Sequence, residues 1–239
     1  MRLIVFLITI SVTFSQEKTL PVWTSYGKIG IGKLDYIGGL GYFRIKRVQQ
    51  NTFNDIRFLS IIQSNSSFIT ARYKSSNKLD ILPSIYRFTV TSLRRNSLSG
   101  LNIRYNYNQG FGSFLFNKIN SHLTSEIALS YDMSDYLNDS RKTSYLKLGV
   151  FWDVNFLNAF INFDFEYFSQ ISDALPKEIL SNRYEISSKI NYQLNDLIIF
   201  TLGIEYEKYI FKEFIIHQRD VYNSIYLGIG FKEILSWKL

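Results

Sequence analysis

From Ala159 to Phe168 the chain alternates apolar and polar residues with a period of two. Ile161, Phe163, Phe165 and Tyr167 fall on one face of an extended strand, and Asn162, Asp164 and Glu166 fall on the other. A helix returns to the same face every three or four residues, so this period specifies a strand. The apolar face is aromatic and unbroken, while the opposite face carries two carboxylates. That division suits a strand with lipid outside and a wet lumen inside.

The same pattern recurs along the chain. Ile69, Ala71 and Tyr73 alternate with Thr70, Arg72 and Lys74; Tyr86, Phe88 and Val90 alternate with Arg87, Thr89 and Thr91; Leu101, Ile103 and Tyr105 alternate with Asn102, Arg104 and Asn106. Further on, Ile127 and Leu129 oppose Glu126 and Ser130, Leu146 and Leu148 oppose Lys147, and Ile186 and Ile190 oppose Glu185 and Lys189. Phe200, Leu202 and Ile204 oppose Thr201, Gly203, Glu205 and Glu207, and Leu227 and Ile229 oppose Gly228 and Gly230. Tyrosines recur at the ends of the apolar faces, where a membrane-interface girdle belongs.

Thirteen segments alternate in this way. A barrel with both chain ends on one side of a membrane needs an even number, so one segment is not a separate strand. Thr24–Lys33 and Gln109–Asn117 alternate least cleanly. The expectation is therefore an all-β fold, a closed antiparallel up-and-down transmembrane β-barrel of about twelve strands. Connectors alternate between long (211–220, 169–183, 134–141) and short (194–196, 155–158, 117–121), as external loops and periplasmic turns do.

On this phasing Arg72, Arg87, Arg104, Glu126, Lys147, Asp164, Glu166, Glu185, Lys189, Glu205 and Glu207 line the lumen. Ile161, Phe163, Phe165, Phe200, Leu202, Ile204, Leu227 and Ile229 face lipid. Residues 1–120 carry 16 Lys/Arg against 4 Asp/Glu, and residues 121–239 carry 11 against 16, so +12 faces −5 within the overall +7. Compensation across the lumen is the economical reading, since an unpaired charge in a partly dry interior is costly. The inward carboxylates could instead form an acid/base pair or a cation-selective ring.

Other classes fare worse. The basic charges of the first half are scattered singly along strands, without a compact helix or aromatic platform, so nucleic acid is not an expected partner. With no cysteine in 239 residues there is no thiol chemistry, disulfide framework or cysteine zinc site. Neither a metal nor a cofactor is expected. Gly27, Gly32 and Lys33 have the spacing of a phosphate-binding loop, but Leu34 stands where that loop needs Ser or Thr to hold magnesium. Glycines at this density fit bulges and crowded points of a curved sheet.

Arg2 followed by apolar Leu3–Phe14, with Thr13 and Ser15 before Gln16, reads as an export signal. Twelve such residues are too few to span about 30 Å of hydrocarbon. Residues 1–15 are expected to be a cleaved signal peptide, and 16–239 a single outer-membrane barrel domain.

Gly110-Phe111-Gly112-Ser113-Phe114-Leu115-Phe116-Asn117, Leu123 with Glu126, Ser130 and Tyr131, and Phe165-Glu166-Tyr167-Phe168 resemble the salt-induced outer-membrane protein family, the domain of unknown function 481. Leu202-Gly203-Ile204-Glu205-Tyr206 and Tyr226-Leu227-Gly228-Ile229-Gly230-Phe231 extend the resemblance, which covers roughly the C-terminal half. It implies an outer-membrane barrel of a Gram-negative cell with no agreed activity and no catalytic residues to carry over. This chain continues past Phe231 to Leu239, where the family tends to stop.

The function expected is a non-enzymatic outer-membrane barrel, structural or narrow-pored. Its partners would be outer-membrane lipids, the outer-membrane assembly machinery and small solutes or ions. Two alternatives stand beside it. A rim hydrolase acting on lipid or envelope polymer would rest only on His217 with Asp220, since His122 follows Ser121 in a short connector on the periplasmic side, away from the outer rim. A soluble secreted ligand-binding barrel would invert the facing. N-terminal sequencing of the mature protein is expected to begin at Gln16, and recovery of Met1 would refute the export signal.

Overall fold

The computed structural model describes residues 20–136, 139–172, 181–211 and 221–235. The first fifteen residues, His217 and Asp220 lie outside the described residues. Twelve strands follow in order: β1 Val22–Lys33, β2 Ile37–Val48, β3 Thr52–Ile62, β4 Ser67–Lys78, β5 Ile85–Asn96, β6 Leu101–Lys118, β7 Ser121–Tyr136, β8 Asp139–Phe156, β9 Ala159–Gln170, β10 Ser181–Gln193, β11 Ile198–Phe211 and β12 Val221–Leu235. Each pairs antiparallel with its sequence neighbours, and β1 pairs with β12 from Trp23↔Leu235 to Lys33↔Ile225, closing the barrel. Closure leaves no strand edge unpaired.

The start of β1 and the end of β12 share one end of the barrel, here called the terminal end. The connectors 49–51, 79–84, 119–120, 157–158 and 194–197 lie there too. At the opposite, loop end are 34–36, 63–66 and 97–100, together with the ends of β7, β9 and β11 and the starts of β8, β10 and β12.

Of the two weakly alternating segments, Thr24–Lys33 is strand β1, and Gln109–Asn117 is the second half of the 18-residue β6. Two register shifts, at Leu101/Ile103 and Phe114/Phe116, break the rhythm of β6 without ending it. The first shift turns Leu101 inward, 1% exposed, while Ile103 points out, 48% exposed. The connector expected at 134–141 is also shorter, since β7 runs to Tyr136 and β8 begins at Asp139.

Strand β5 corrects the facing of one segment. Tyr86, Phe88 and Val90 are buried inside the barrel at 5%, 2% and 1% exposure, clustered with Ala128 and against Phe114. Arg87, expected in the lumen, is exposed on the outer surface, in register with outward Phe111. Alternation shows that two faces differ, and here the interior takes the apolar one. Packing drives the choice, for the Tyr86 ring lies 5.1 Å from that of Phe114 and leans over Gly112.

Gly112 stands opposite Tyr86, and Gly203 opposite Tyr226. A Cβ on Gly112 would meet the Tyr86 ring at 2.2 Å, and one on Gly203 the Tyr226 ring at 2.1 Å. Each glycine is the bare spot on which a lumen tyrosine lies, a pairing that fixes register and fills the interior at once. Outside, Phe200, Leu202, Ile204, Leu227 and Ile229 are exposed, and Ile161, Phe163 and Phe165 are half-buried on the same outward face. Outward rings also stack, with Tyr184 5.8 Å from Tyr206.

Gly112→Val and Gly203→Val should each destabilise the barrel by about 1–3 kcal/mol through overpacking against tyrosine. Gly39→Val, where a Cβ meets nothing within 4 Å, is the control. Thermal unfolding in detergent reads the difference.

Candidate functional site

The barrel interior holds three tiers of buried charge. Nearest the loop end, β5, β6, β7, β10 and β11 contribute three arginines and three carboxylates. Arg94 forks between Glu207 Oε2 at 2.6 Å and Glu185 Oε2 at 2.8 Å. Arg104 donates to Glu207 Oε1 at 2.8 Å and to the Tyr209 hydroxyl. Arg183 donates to Asp132 at 2.7 Å, pairs with Glu185 at 2.9 Å, and lies over the Phe168 ring at 4.3 Å. Arginine suits this tier because its planar fork can serve two carboxylates while stacking on an aromatic face.

The middle tier centres on Lys147, whose side chain is fully buried between Glu126, at 3.7 Å, and Glu166. Phe88, Phe151 and Phe168 surround its ammonium with ring centroids at 5.6, 5.6 and 5.9 Å. Lys74 also pairs with Glu126, Arg72 reaches Glu166 at 3.4 Å, and the Tyr86 hydroxyl donates to Glu126 at 2.9 Å. Toward β2 and β3, Asp55 is held by Arg44 at 2.7 Å and Arg57 at 2.5 Å. Arg57 then reaches Asp164 at 3.7 Å, and Lys189 meets Glu205 at 3.3 Å.

Six of these ion pairs join the two halves of the sequence through the interior. Arg57–Asp164, Arg72–Glu166, Lys74–Glu126, Arg94–Glu185, Arg94–Glu207 and Arg104–Glu207 each pair a base before residue 120 with an acid after it. Toward the loop end an apolar cluster of Leu34, Leu40, Leu59, Ile61, Phe68, Tyr222 and Tyr226 narrows the interior, with the Phe68 and Tyr222 rings stacked at 5.1 Å. Between the tiers remains a cavity of about 90 Å³, lined by Arg57, Arg72, Arg94, Glu166, Glu185 and Phe68 among others. Toward the terminal end the lumen widens to a vestibule of about 900 Å³.

Arg72, Arg104, Glu126, Lys147, Asp164, Glu166, Glu185, Lys189, Glu205 and Glu207 thus sit inside the barrel, each in an ion pair; Arg87 does not. Sequence reasoning missed Asp55, Arg94, Asp132 and Arg183. Asp132 lay on the polar face of β7 and could have been included. Arg94 and Arg95 are adjacent, so one must point in, and only correct phasing of β5 says which. Arg183 fell within an expected connector that proves to be the start of β10.

Ser121 and His122 are consecutive in β7 and diverge. The Ser121 hydroxyl accepts from the Trp152 indole at 3.0 Å, while His122 Nδ1 lies 2.5 Å from Asn117 Oδ1. Among the described residues, no cluster of three or more His, Asp or Glu is placed to hold a metal ion.

No family model and no curated protein matches the chain. Among solved structures it is similar to the NanC porin, with a TM-score of 0.53 and 11% identity over 87% of this chain and 98% of that one. The KdgM porin aligns at a TM-score of 0.44 and 13% identity, covering 86% and 98% of the two chains. The first likeness is one of fold, a closed antiparallel β-barrel.

Removing one member of a buried ion pair strands the other. Lys147→Met should cost about 3–5 kcal/mol, and adding Glu166→Gln should restore part of that loss. Unfolding midpoints of the single and double variants in detergent check both.

Proposed function

We propose that this chain is a non-enzymatic outer-membrane barrel whose constricted lumen passes water and small ions and excludes larger solutes. The observation that carries the reading is the cross-lumen ion-pair lattice, which with the apolar cluster leaves about 90 Å³ at mid-barrel. Ion pairs of this kind leave narrow polar seams, through which ions can exchange along fixed charges. The outward ring of Ile161, Phe163, Phe165, Phe200, Leu202, Ile204, Leu227 and Ile229 faces lipid. The terminal end opens to the periplasm. Outer-membrane lipids and the assembly machinery are the partners such a chain needs after residues 1–15 are removed. The resemblance to the salt-induced outer-membrane proteins agrees with this placement.

Planar-bilayer recording of the refolded protein should give a small unit conductance. Arg94→Ser, which opens the tier at Glu185 and Glu207, should raise it severalfold. A parent conductance as large as that of the Arg94→Ser variant would contradict the constriction. Separately, Phe163→Arg should cost about 2–4 kcal/mol if that face meets the bilayer midplane, whereas Asn162→Arg should be tolerated. Equal folding yields of the two variants in lipid vesicles would invert the facing.

A further inference from the structure

Nine inward bases, Arg44, Arg57, Arg72, Lys74, Arg94, Arg104, Lys147, Arg183 and Lys189, each have a carboxylate within 4.0 Å. Three lysines that line the vestibule break this rule. Lys28 donates only to neutral partners, Asn191 Oδ1 at 2.6 Å and Thr201 Oγ1 at 2.8 Å. Lys46 lies over the Phe53 ring at 5.9 Å and Lys78 over the Phe114 ring at 5.4 Å. Among the described residues, none of the three has a carboxylate within ion-pair distance. An interior that compensates its other bases so closely leaves these charges for something else, because uncompensated ammonium groups in one cavity repel each other.

The opposite wall has a different chemistry. Lys28, Lys46 and Lys78 come from β1, β2 and β4, whereas Asn155, Asn158, Asn162, Asn191 and Gln193 come from β8 to β10 and the connectors beside them, across the barrel. Side-chain amides present a donor and an acceptor together, which matches the hydroxyls of a polyol. Both acids that line this region are engaged: Asp153 accepts from Asn162 at 2.5 Å, and Asp164 is paired with Arg57 at 3.7 Å.

We infer that the vestibule is a binding site for a small polyhydroxylated oxyanion, a sugar acid or sugar phosphate. Its charged group meets the Lys46 and Lys78 wall and its hydroxyls meet the amide wall. The cavity of about 900 Å³ is of the size small-ligand pockets take, about 300–1,000 Å³. The periplasmic orientation of the site rests on the function proposed above; binding itself does not require the lumen to conduct.

Isothermal titration of the full folded protein in detergent at low salt tests this with glucuronate, glucose 6-phosphate, glucose and inorganic phosphate. Both sugar oxyanions, or one of them, should bind at least about tenfold more tightly than glucose, a difference of roughly 1.4 kcal/mol. The two arms tell carboxylate from phosphate. Lys46→Gln with Lys78→Gln should weaken the binding at least about tenfold while the heat-modifiable gel shift of the barrel is kept. Should that variant misfold, 500 mM chloride on the parent protein should abolish the same binding by screening, at about a 4–5 Å Debye length. Equal affinity for glucose, no binding of either oxyanion, or an unchanged folded variant would overturn the inference. Inorganic phosphate binding as tightly as glucose 6-phosphate would overturn the polyol part. A barrel that binds but does not conduct defeats only the pore, and one that conducts but does not bind defeats only the site.

Discussion

The barrel depends on charge compensation across its own lumen. A twelve-stranded wall encloses more space than aliphatic side chains from one strand can fill, so the interior is bridged by long side chains meeting from opposite sides. Arg94 reaching Glu185 and Glu207, and Lys147 held between Glu126 and Glu166, are such bridges. Each buried charge is tolerable only because its partner is in place. The tiers therefore tie β3–β8 to β9–β11 through the interior, in addition to the backbone ladder around the wall.

Aromatic packing and glycine placement support those tiers. Phe88, Phe151 and Phe168 around Lys147 exclude water from the ion pairs and offer their ring faces to the ammonium. Tyr86 over Gly112 joins this packing to the charge network through its hydroxyl on Glu126. The result is polarised along the barrel axis. The loop half is filled by ion pairs and the cluster around Phe68 and Tyr222, and the terminal half is left as a vestibule lined by Lys28, Lys46 and Lys78.

Much of this was legible in the sequence. Strict alternation in β9, β11 and β12 places Asp164, Glu166, Glu205 and Glu207 on one face, and the opposite charges of the two halves foreshadow the crossing pairs. What alternation cannot supply is an absolute sense of inside and outside. In β5 both faces contain residues acceptable in either place, and the space beside Gly112 drew Tyr86 and Phe88 inward, sending Arg87 out. Bulges hid the unity of β6 because an extra residue exchanges the two faces midway. Arg183 was obscured because its strand begins inside a stretch without alternating neighbours upstream. That Lys28, Lys46 and Lys78 have no carboxylate within ion-pair distance among the described residues is a property of three-dimensional proximity, to which spacing along the chain gives no clue.

The absence of cysteine makes the asymmetry of the lumen directly measurable. Ser76 lines the vestibule and Thr70 the small mid-barrel cavity, on the same strand and the same inward face. In proteoliposomes, a membrane-impermeant thiol reagent applied to the terminal side should modify Ser76→Cys rapidly and Thr70→Cys much more slowly. Adding Arg94→Ser should bring the Thr70→Cys rate up toward that of Ser76→Cys. Equal, rapid modification of both positions in the parent background would contradict a lumen constricted by its own ion pairs.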